Sequence, residues 1–251
     1  MLKLAKLNGG PEIFHSFQGE GKSLGKPSVF IRLSLCNLYC IWCDTDYTWN
    51  WEGTSFEHIY DKNSSYKKFD KSQQIVECTD QEIVDFVSSF DCDNIIITGG
   101  EPLVQQKQLT SLLRALKAFN PSMTVEVETN GTILPMDDVD QYVDQYNVSP
   151  KLANSGVKYS DRIKAKALDF FSANPRANFK FVVSQESDIQ EISSLVLAHG
   201  IKSEDVYIMP EGLTAKDLLQ KEMWVIALVN KYGFKYSDRI HIHKFGSRRG
   251  V

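Results

Sequence analysis

Three cysteines within eight residues are the most informative chemical feature of this sequence. Cys36, Cys40 and Cys43 follow a C-x3-C-x2-C spacing, and only Cys78 and Cys92 lie elsewhere. Three thiolates on one short loop can hold a cubane iron–sulfur cluster and leave its fourth iron open to a small chelating molecule. Structural zinc is the alternative, but it prefers four protein ligands, and neither remaining cysteine belongs to a second C-x2-C or H-x3-H unit. The spacing therefore favours an open-site cluster.

Two polar turns add candidate binding groups. Residues 98–102 read T-G-G-E-P, in which the glycines let the backbone approach a ligand and Glu101 can accept from an ammonium group. Residues 17–21 read F-Q-G-E-G, and a Gln amide beside a Glu carboxylate can pair with the edge of a pterin or purine. Arg32, a little further along, can bind a carboxylate through two parallel hydrogen bonds. Taken alone, T-G-G-E-P is equally typical of an ordinary β/α turn, and F-Q-G-E-G with Arg32 is more typical of a glycine turn and a surface arginine.

Two further motifs end predicted strands. Residues 128–131 read E-T-N-G, and residues 149–151 read S-P-K. Their polar groups can hydrogen-bond a ribose or a carboxylate, and Lys151 can neutralise an anion. Turn and capping chemistry supplies the same residue types routinely, so these motifs carry less weight when taken alone.

Predicted strands and helices alternate along the chain. Apolar runs bounded by turn residues predict strands over 28–35, 94–98, 124–128, 146–148, 178–183, 206–209 and 239–244. Helical periodicity and capping residues predict helices over 79–90, 105–119, 138–145, 163–171, 189–199 and 216–232. This order is typical of an α/β fold with a parallel sheet. Because about seven strands are too few for the eight of a closed barrel, we predict an incomplete parallel β/α barrel.

The chain is expected to form one domain over residues 1–251, with an insertion around residues 50–71 that shows no period. Parallel β/α folds gather their chemistry at the carboxyl ends of strands, and the cysteine, T-G-G-E-P, E-T-N-G and S-P-K motifs all follow predicted strands. Among the histidines, His241 and His243 are expected on one face of the last strand. His15, His58 and His199 are expected to be solvated or packed.

Composition narrows the class of protein further. Lys and Arg total 28 against 32 Asp and Glu, which predicts no general attraction to nucleic acid or to an anionic membrane. No apolar run is long enough to span a bilayer, and the first ten residues do not read as a secretion signal. An odd number of cysteines in such a chain argues against a disulfide framework. We expect a soluble cytoplasmic protein.

The motifs together resemble one family. The cysteine spacing is similar to that of radical S-adenosylmethionine enzymes. F-Q-G-E-G, F-I-R-L, C-x3-C-x-W-C-D-T, T-G-G-E-P, S-P-K and a closing R-G-V, in this order from residue 17 to residue 251, resemble the 7-carboxy-7-deazaguanine synthases. The resemblance implies a radical lyase that converts 6-carboxy-5,6,7,8-tetrahydropterin into 7-carboxy-7-deazaguanine with release of ammonia, towards queuosine. It also implies an incomplete barrel of the radical S-adenosylmethionine type, a homodimer and an electron donor such as flavodoxin.

The resemblance further implies roles for individual residues. Cys36, Cys40 and Cys43 would hold a [4Fe–4S] cluster, and Thr45 would bind Mg²⁺, which accepts oxygen ligands and keeps several waters. The residues implied to contact S-adenosylmethionine are Trp42, Cys43, Asp44, Gly100, Glu101, Ser149, Pro150 and Lys151. Those implied to contact the pterin are Phe17, Gln18, Gly19, Glu20, Arg32, Thr98, His241 and Val251, the last on a tail that reaches the site. The radical arises at cluster-bound S-adenosylmethionine, so no side chain is assigned a catalytic role.

Two alternatives stay open at this stage. A glycyl-radical-enzyme activase shares the cysteine loop and the G-G-E segment, although the Q-G-E-G, C-D-T and closing motifs argue against it. A non-catalytic iron–sulfur or zinc module is the second alternative. Arg248 and Arg249 are expected at the solvent or at the substrate edge.

Overall fold

The computed structural model describes residues 1–251 and contains eleven strands and nine helices. The strands are β1 (Leu2–Leu7), β2 (Gly10–Pro11), β3 (Ile13–Phe17), β4 (Pro27–Leu33), β5 (Ile75–Cys78), β6 (Asn94–Gly99), β7 (Thr124–Thr129), β8 (Gln145–Val148), β9 (Ala177–Val183), β10 (Val206–Pro210) and β11 (Lys235–Tyr236). The helices are α1 (Lys71–Gln74), α2 (Asp80–Ser88), α3 (Gln106–Phe119), α4 (Asp137–Asp140), α5 (Tyr159–Arg162), α6 (Ala165–Ala173), α7 (Asp188–Ala198), α8 (Ala215–Tyr232) and α9 (Ile240–Phe245).

Seven parallel strands form the main sheet in the order β4-β6-β7-β8-β9-β10-β11. Each strand except the first follows a crossover, as the alternating pattern predicts. No pairing joins β11 back to the β4 side, so the barrel stays open. The predicted α/β fold with an incomplete parallel barrel is therefore confirmed. None of the helices combines the length and apolar character that crossing a lipid bilayer requires.

An antiparallel extension, which the sequence analysis did not predict, covers the other edge of β4. Strand β3 pairs with β4 from Ile13 opposite Ile31 to Phe17 opposite Pro27. Strand β1 pairs with β4 at its carboxyl end and with β5 on its other side. Because β3 ends at Phe17, the extension positions the turn formed by residues 17–21, which lies next to residues of the carboxyl-terminal half of the chain.

The parallel strands present one apolar and one polar face. Ile95 and Ile97 of β6, and Val125 and Val127 of β7, are fully buried in the core that the helices cover. Because side chains alternate along a strand, the intervening positions face the inside of the open barrel. There the Asn147 amide donates to the carboxylates of both Glu126 (3.1 Å) and Glu128 (3.0 Å). A hydrogen-bonded polar layer therefore lies below the site.

Two predicted elements differ from the structure. Helix α9 (Ile240–Phe245) stands where a strand was predicted over 239–244, because the short β11 already occupies the edge position beside β10. The helix predicted over 138–145 ends at Asp140. The Arg176 guanidinium takes up the carbonyls of Asp140 and Val143, which a longer helix would need for its own hydrogen bonds.

Candidate active site

A cavity of about 250 Å³ opens at the carboxyl ends of the parallel strands. Most residues predicted for the site line it, namely Phe17, Gln18, Gly19, Glu20, Arg32, Cys36, Cys40, Trp42, Cys43, Asp44, Thr45, Thr98, Gly100, Ser149, Lys151, His241 and Val251. Two predicted residues, Glu101 and Pro150, do not line it. The motifs from both ends of the chain thus meet in one place.

The three clustered thiols face this cavity, whereas Cys78 and Cys92 do not. Burial raises the pKa of each clustered thiol, that of Cys40 to about 12, so the free thiols are protonated and give up protons when a metal binds. No three His, Cys, Asp or Glu side chains converge on a point that holds a single ion. Three thiols without a fourth protein ligand suit a cluster with one open iron better than structural zinc, which takes four protein ligands. The residues present therefore fit a [4Fe–4S] cluster.

The backbone before Cys36 explains how the cysteine loop enters the cavity. Leu35 adopts a left-handed φ of 74°, which is uncommon for a bulky residue and costs about 1–3 kcal/mol. Its amide donates to Thr48 O (3.1 Å), and its carbonyl accepts from Glu101 N (2.9 Å). Gly100 packs against this carbonyl so closely that a β-carbon would stand 2.3 Å from it. The chain therefore reverses directly after β4 and aims the first cysteine inwards.

The predicted insertion packs behind the cysteine loop. Phe56 stacks on Tyr39 with ring centroids 3.4 Å apart. His58 is 3% exposed, and its Nε2 lies 3.1 Å from Cys43 O. The amide of Ile59 donates to Ile41 O at 2.8 Å. Residues 50–71 therefore support the loop from the side away from the cavity.

Glu101, which was predicted to contact S-adenosylmethionine, lies behind the cavity lining. Its carboxylate is fully buried and accepts from Leu103 N (3.0 Å), Asn130 N (2.7 Å) and the Thr129 hydroxyl (2.9 Å). Burial raises the pKa of this carboxyl group, and these hydrogen bonds oppose the shift. Thr129 and Asn130 line the cavity in front of it. Glu101 thus holds the E-T-N-G turn in place.

The S-P-K motif forms a cationic wall beside the cysteine loop. Lys151 Nζ donates to the Ser149 hydroxyl at 2.9 Å and lies 5.8 Å from the centre of the Trp42 ring. The indole N–H of Trp42 in turn donates to Asn154 O. This wall presents a positive charge and a hydroxyl to an anionic or polar ligand.

A buried ion cluster holds Arg32. Its Nε donates to Glu12 at 3.1 Å, and the other Glu12 oxygen accepts from Arg249 at 2.7 Å. Tyr47 donates to the same carboxylate, and the Arg249 guanidinium lies 3.4 Å from the Tyr47 ring centre. Arg248 is exposed, whereas Arg249 is clamped inside this cluster. Two cations around one carboxylate leave a net positive charge beside Thr98, which pairs with Arg32 in the sheet.

Three charged residues that line the cavity, Lys180, Glu211 and Arg239, were missed in the sequence. Lys180 donates to Glu20 (2.6 Å) and to Glu128 (3.1 Å), and Gln18 also donates to Glu128. Arg239 donates to Glu20 at 2.9 Å. The only local signal for Lys180 is a cation within an otherwise apolar predicted strand. Arg239 had no local signal.

The pKa values of Glu20 and Glu128 in this group shift in opposite directions. Burial would raise the pKa of Glu20, but the charges of Lys180 and Arg239 hold it well below its usual range. Burial raises the pKa of Glu128, and Lys180 only partly offsets it. One cavity wall thus carries a carboxylate and a carboxyl group of different proton affinity.

The two C-terminal histidines do not share a face. Both lie on helix α9, where residues two apart point in different directions. His241 lines the cavity, and burial lowers its pKa, so its ring is neutral at pH 7. His243 contacts Asp238 at 3.1 Å on the outer surface. The expectation of one strand face was wrong because the segment is helical.

An open parallel barrel whose cavity gathers three thiols defines an iron–sulfur enzyme of the radical S-adenosylmethionine class. Residues 17–150 match the family model described as a 4Fe-4S single cluster domain. A 7-carboxy-7-deazaguanine synthase from Pyrobaculum aerophilum is 37% identical over 95% of both chains. One from Halobacterium salinarum is 34% identical over 92% of this chain and 88% of its own. The crystal structure of QueE from Escherichia coli superposes with a TM-score of 0.64 at 25% identity, over 90% of this chain and 91% of that one.

The chain belongs to the 7-carboxy-7-deazaguanine synthase family. It is a radical S-adenosylmethionine enzyme of queuosine biosynthesis that uses an iron–sulfur cluster and S-adenosylmethionine. The predicted enzyme class is therefore confirmed, and the activase and the non-catalytic module are set aside.

Proposed function

We propose that the cavity converts 6-carboxy-5,6,7,8-tetrahydropterin into 7-carboxy-7-deazaguanine with release of ammonia. The observation that carries this proposal is that one cavity holds the three thiols together with Arg32, Gln18 and Glu20. When bound, the cluster and S-adenosylmethionine supply the one-electron chemistry that starts the ring contraction. The protein residues bind and orient the two small molecules and exclude water.

Cys36, Cys40 and Cys43 are the cluster ligands in this proposal. Trp42, Cys43, Asp44 and Gly100 line the cavity and contact S-adenosylmethionine, as do Ser149 and Lys151. Pro150 lies between the last two in sequence but does not line the cavity. The Lys151 ammonium and the Ser149 hydroxyl suit a carboxylate. Glu101 acts from behind, by holding Thr129 and Asn130.

The pterin occupies the side of the cavity that Phe17, Gln18, Gly19 and Glu20 form. Arg32 binds its carboxylate, because the Glu12 cluster fixes the guanidinium and leaves a net positive charge there. The Glu20 carboxylate accepts from N–H groups of the ring edge, and Thr98, His241 and Val251 complete the wall.

Thr45 binds Mg²⁺ through its hydroxyl in this proposal. Its side chain lines the cavity, with Oγ1 3.5 Å from Cys43 Sγ. A single protein oxygen suits Mg²⁺, which keeps waters and takes substrate oxygens as further ligands. Replacing Thr45 with Ala should raise the Mg²⁺ concentration needed for half-maximal activity, whereas Thr45→Ser should keep it.

The partners are proposed from the family resemblance. A reduced flavodoxin or a similar protein supplies the electron, the chain acts as a homodimer, and the enzyme works in the cytoplasm. Light scattering of the purified protein tests the dimer. The proposed donor is tested by adding reduced flavodoxin and measuring reduction of the cluster by its visible absorbance.

The deciding experiment is anaerobic incubation of the reconstituted protein with the pterin, S-adenosylmethionine and dithionite. We expect the mass of 7-carboxy-7-deazaguanine and an equal amount of ammonia without any partner protein. Cys40→Ala should abolish turnover, whereas Cys92→Ala, which alters a thiol outside the cavity, should retain it. Absence of product from the cluster-loaded protein, or full activity of the Cys40 variant, contradicts the proposal.

A further inference from the structure

Arg239 is a buried cation that connects two sides of the cavity. It is 6% exposed, and each of its three guanidinium nitrogens makes a hydrogen bond. Nε donates to Glu20 (2.9 Å), Nη1 donates to Gly212 O (2.6 Å), and Nη2 donates to Asp44. Glu20 lies on the pterin-binding turn, and Asp44 directly follows the last cysteine of the cluster loop. One planar group therefore sets the spacing between these two segments.

The segment around Arg239 is itself fixed to the pterin-binding turn. The Ser237 hydroxyl accepts from Gly21 N at 2.8 Å, and Ile240 N donates to Gly19 O at 3.1 Å. The amide of Ser237 donates to Ile208 O, which ties the segment to β10. The guanidinium thus has a rigid base from which it reaches both partners.

Charge explains why a cation is needed at this position. Glu20, Asp44 and Glu128 bring three carboxyl groups to the wall, and Lys180 is the other cation that contacts two of them. A neutral residue in place of Arg239 would remove the ion pair of Asp44 and let the two segments move apart.

We propose that Arg239 is a positioning residue that keeps the pterin-binding turn in register with the cluster loop, so that hydrogen is removed from the pterin efficiently. This inference rests on the proposed function of the same cavity. Arg239 reaches the substrates through Glu20 and Asp44. Its loss lowers the fraction of S-adenosylmethionine cleavage that leads to product. A misplacement of about 1 Å between reacting groups can cost on the order of 100-fold in rate.

Two readouts test this role in Arg239→Met and Arg239→Lys. The first is the amount of 7-carboxy-7-deazaguanine formed per 5′-deoxyadenosine released by the cluster-loaded enzyme with dithionite. The second is calorimetric binding of the pterin to protein without cluster. We expect Arg239→Met to lower the product ratio and the pterin affinity by about tenfold or more, which corresponds to about 1.4 kcal/mol. Arg239→Lys keeps the positive charge but not the planar guanidinium that bonds to several partners at once. It should therefore recover only part of the product ratio and of the pterin affinity.

Arg176→Met is the matched control. Arg176 is also ion-paired and also donates to backbone carbonyls, two where Arg239 has one, but it lies outside the cavity lining. This variant should lose stability while it keeps the product ratio. A product ratio and pterin affinity equal to wild type in either Arg239 variant would overturn the inference. If Arg239→Met fails to fold, Arg239→Lys decides alone. Wild type that makes no product contradicts the proposed function instead.

Discussion

The His241 ring lies directly against the α-carbon of Gly19, where a β-carbon would stand 2.0 Å from the ring nitrogen Nδ1. The backbone of Gly19 does not have a positive φ, so close approach rather than backbone freedom requires glycine here. Residues more than 200 positions apart in the chain therefore form one wall of the pterin pocket.

Gly19→Ala tests this contact. The added methyl group should displace His241 and reduce the free energy of unfolding by about 1–3 kcal/mol, as overpacking does. Urea unfolding measures the loss, and pterin titration measures its effect on binding. Removing the ring in Gly19→Ala/His241→Ala should recover most of the stability. Equal stability of the single and double variants would show that the methyl group is accommodated in another way.

Gly100→Ala should disturb the cysteine loop. Its β-carbon would stand 2.3 Å from Leu35 O and 2.9 Å from Cys36 Cβ, which are backbone and cluster-ligand positions that cannot yield cheaply. We expect a loss of about 1–3 kcal/mol in stability and less iron bound per chain after reconstitution. Gly10→Ala is the control because nothing lies within 4 Å of its added methyl group. Full iron loading of the Gly100 variant would argue against the proposed role of this turn.

Arg249→Met should loosen the final residues. It removes one of the two cations on Glu12, whose side chain is fully buried, and it exposes residues after α9 to protease. Because the same carboxylate orients Arg32, pterin affinity should fall by about tenfold. Limited proteolysis and calorimetry measure the two effects. The neighbouring Arg248→Met removes an exposed cation and should change neither.

Stability should depend on pH through Glu20. Its pKa is lower in the folded chain than the usual 4.5, so the ionised group stabilises the fold above that value. This contribution is lost as the pH falls below 4.5 towards the folded pKa. Urea unfolding of protein without cluster, between about pH 3 and pH 7, should show a smaller pH slope for Glu20→Gln. Glu128 provides a contrast, because its pKa is raised and its contribution is lost as the pH rises. An unchanged slope in Glu20→Gln would contradict the assignment.

The sequence predicted those structural elements that are determined by residues close together in the chain. Thr79 and Glu82 form a capping box, in which Thr79 N donates to Glu82 Oε2 at 2.8 Å, and α2 begins at Asp80, within one residue of the predicted start. The glycines and cysteines that end β4 and β6 were likewise recognisable, because turn and ligand chemistry depends on nearby residues.

Other features depend on partners far along the chain. The alternating I-H-I-H of residues 240–243 is compatible with a strand, but β11 already occupies the place beside β10, and Ile240 N donates to Gly19 O instead. Glu101 was expected to face a ligand, but the amides of Leu103 and Asn130 reach its carboxylate first. Such competition between partners is set by tertiary packing, which no local pattern reports.

The support behind the cysteine loop has a practical consequence for handling this enzyme in air. The loop is held by Thr48 O, Ser155 O and the amide of Ile59, all of which are backbone groups that oxidation leaves intact. Loss of the inorganic core to oxygen should therefore leave a folded chain, which iron and sulfide can repair after its thiols are reduced, without a refolding step.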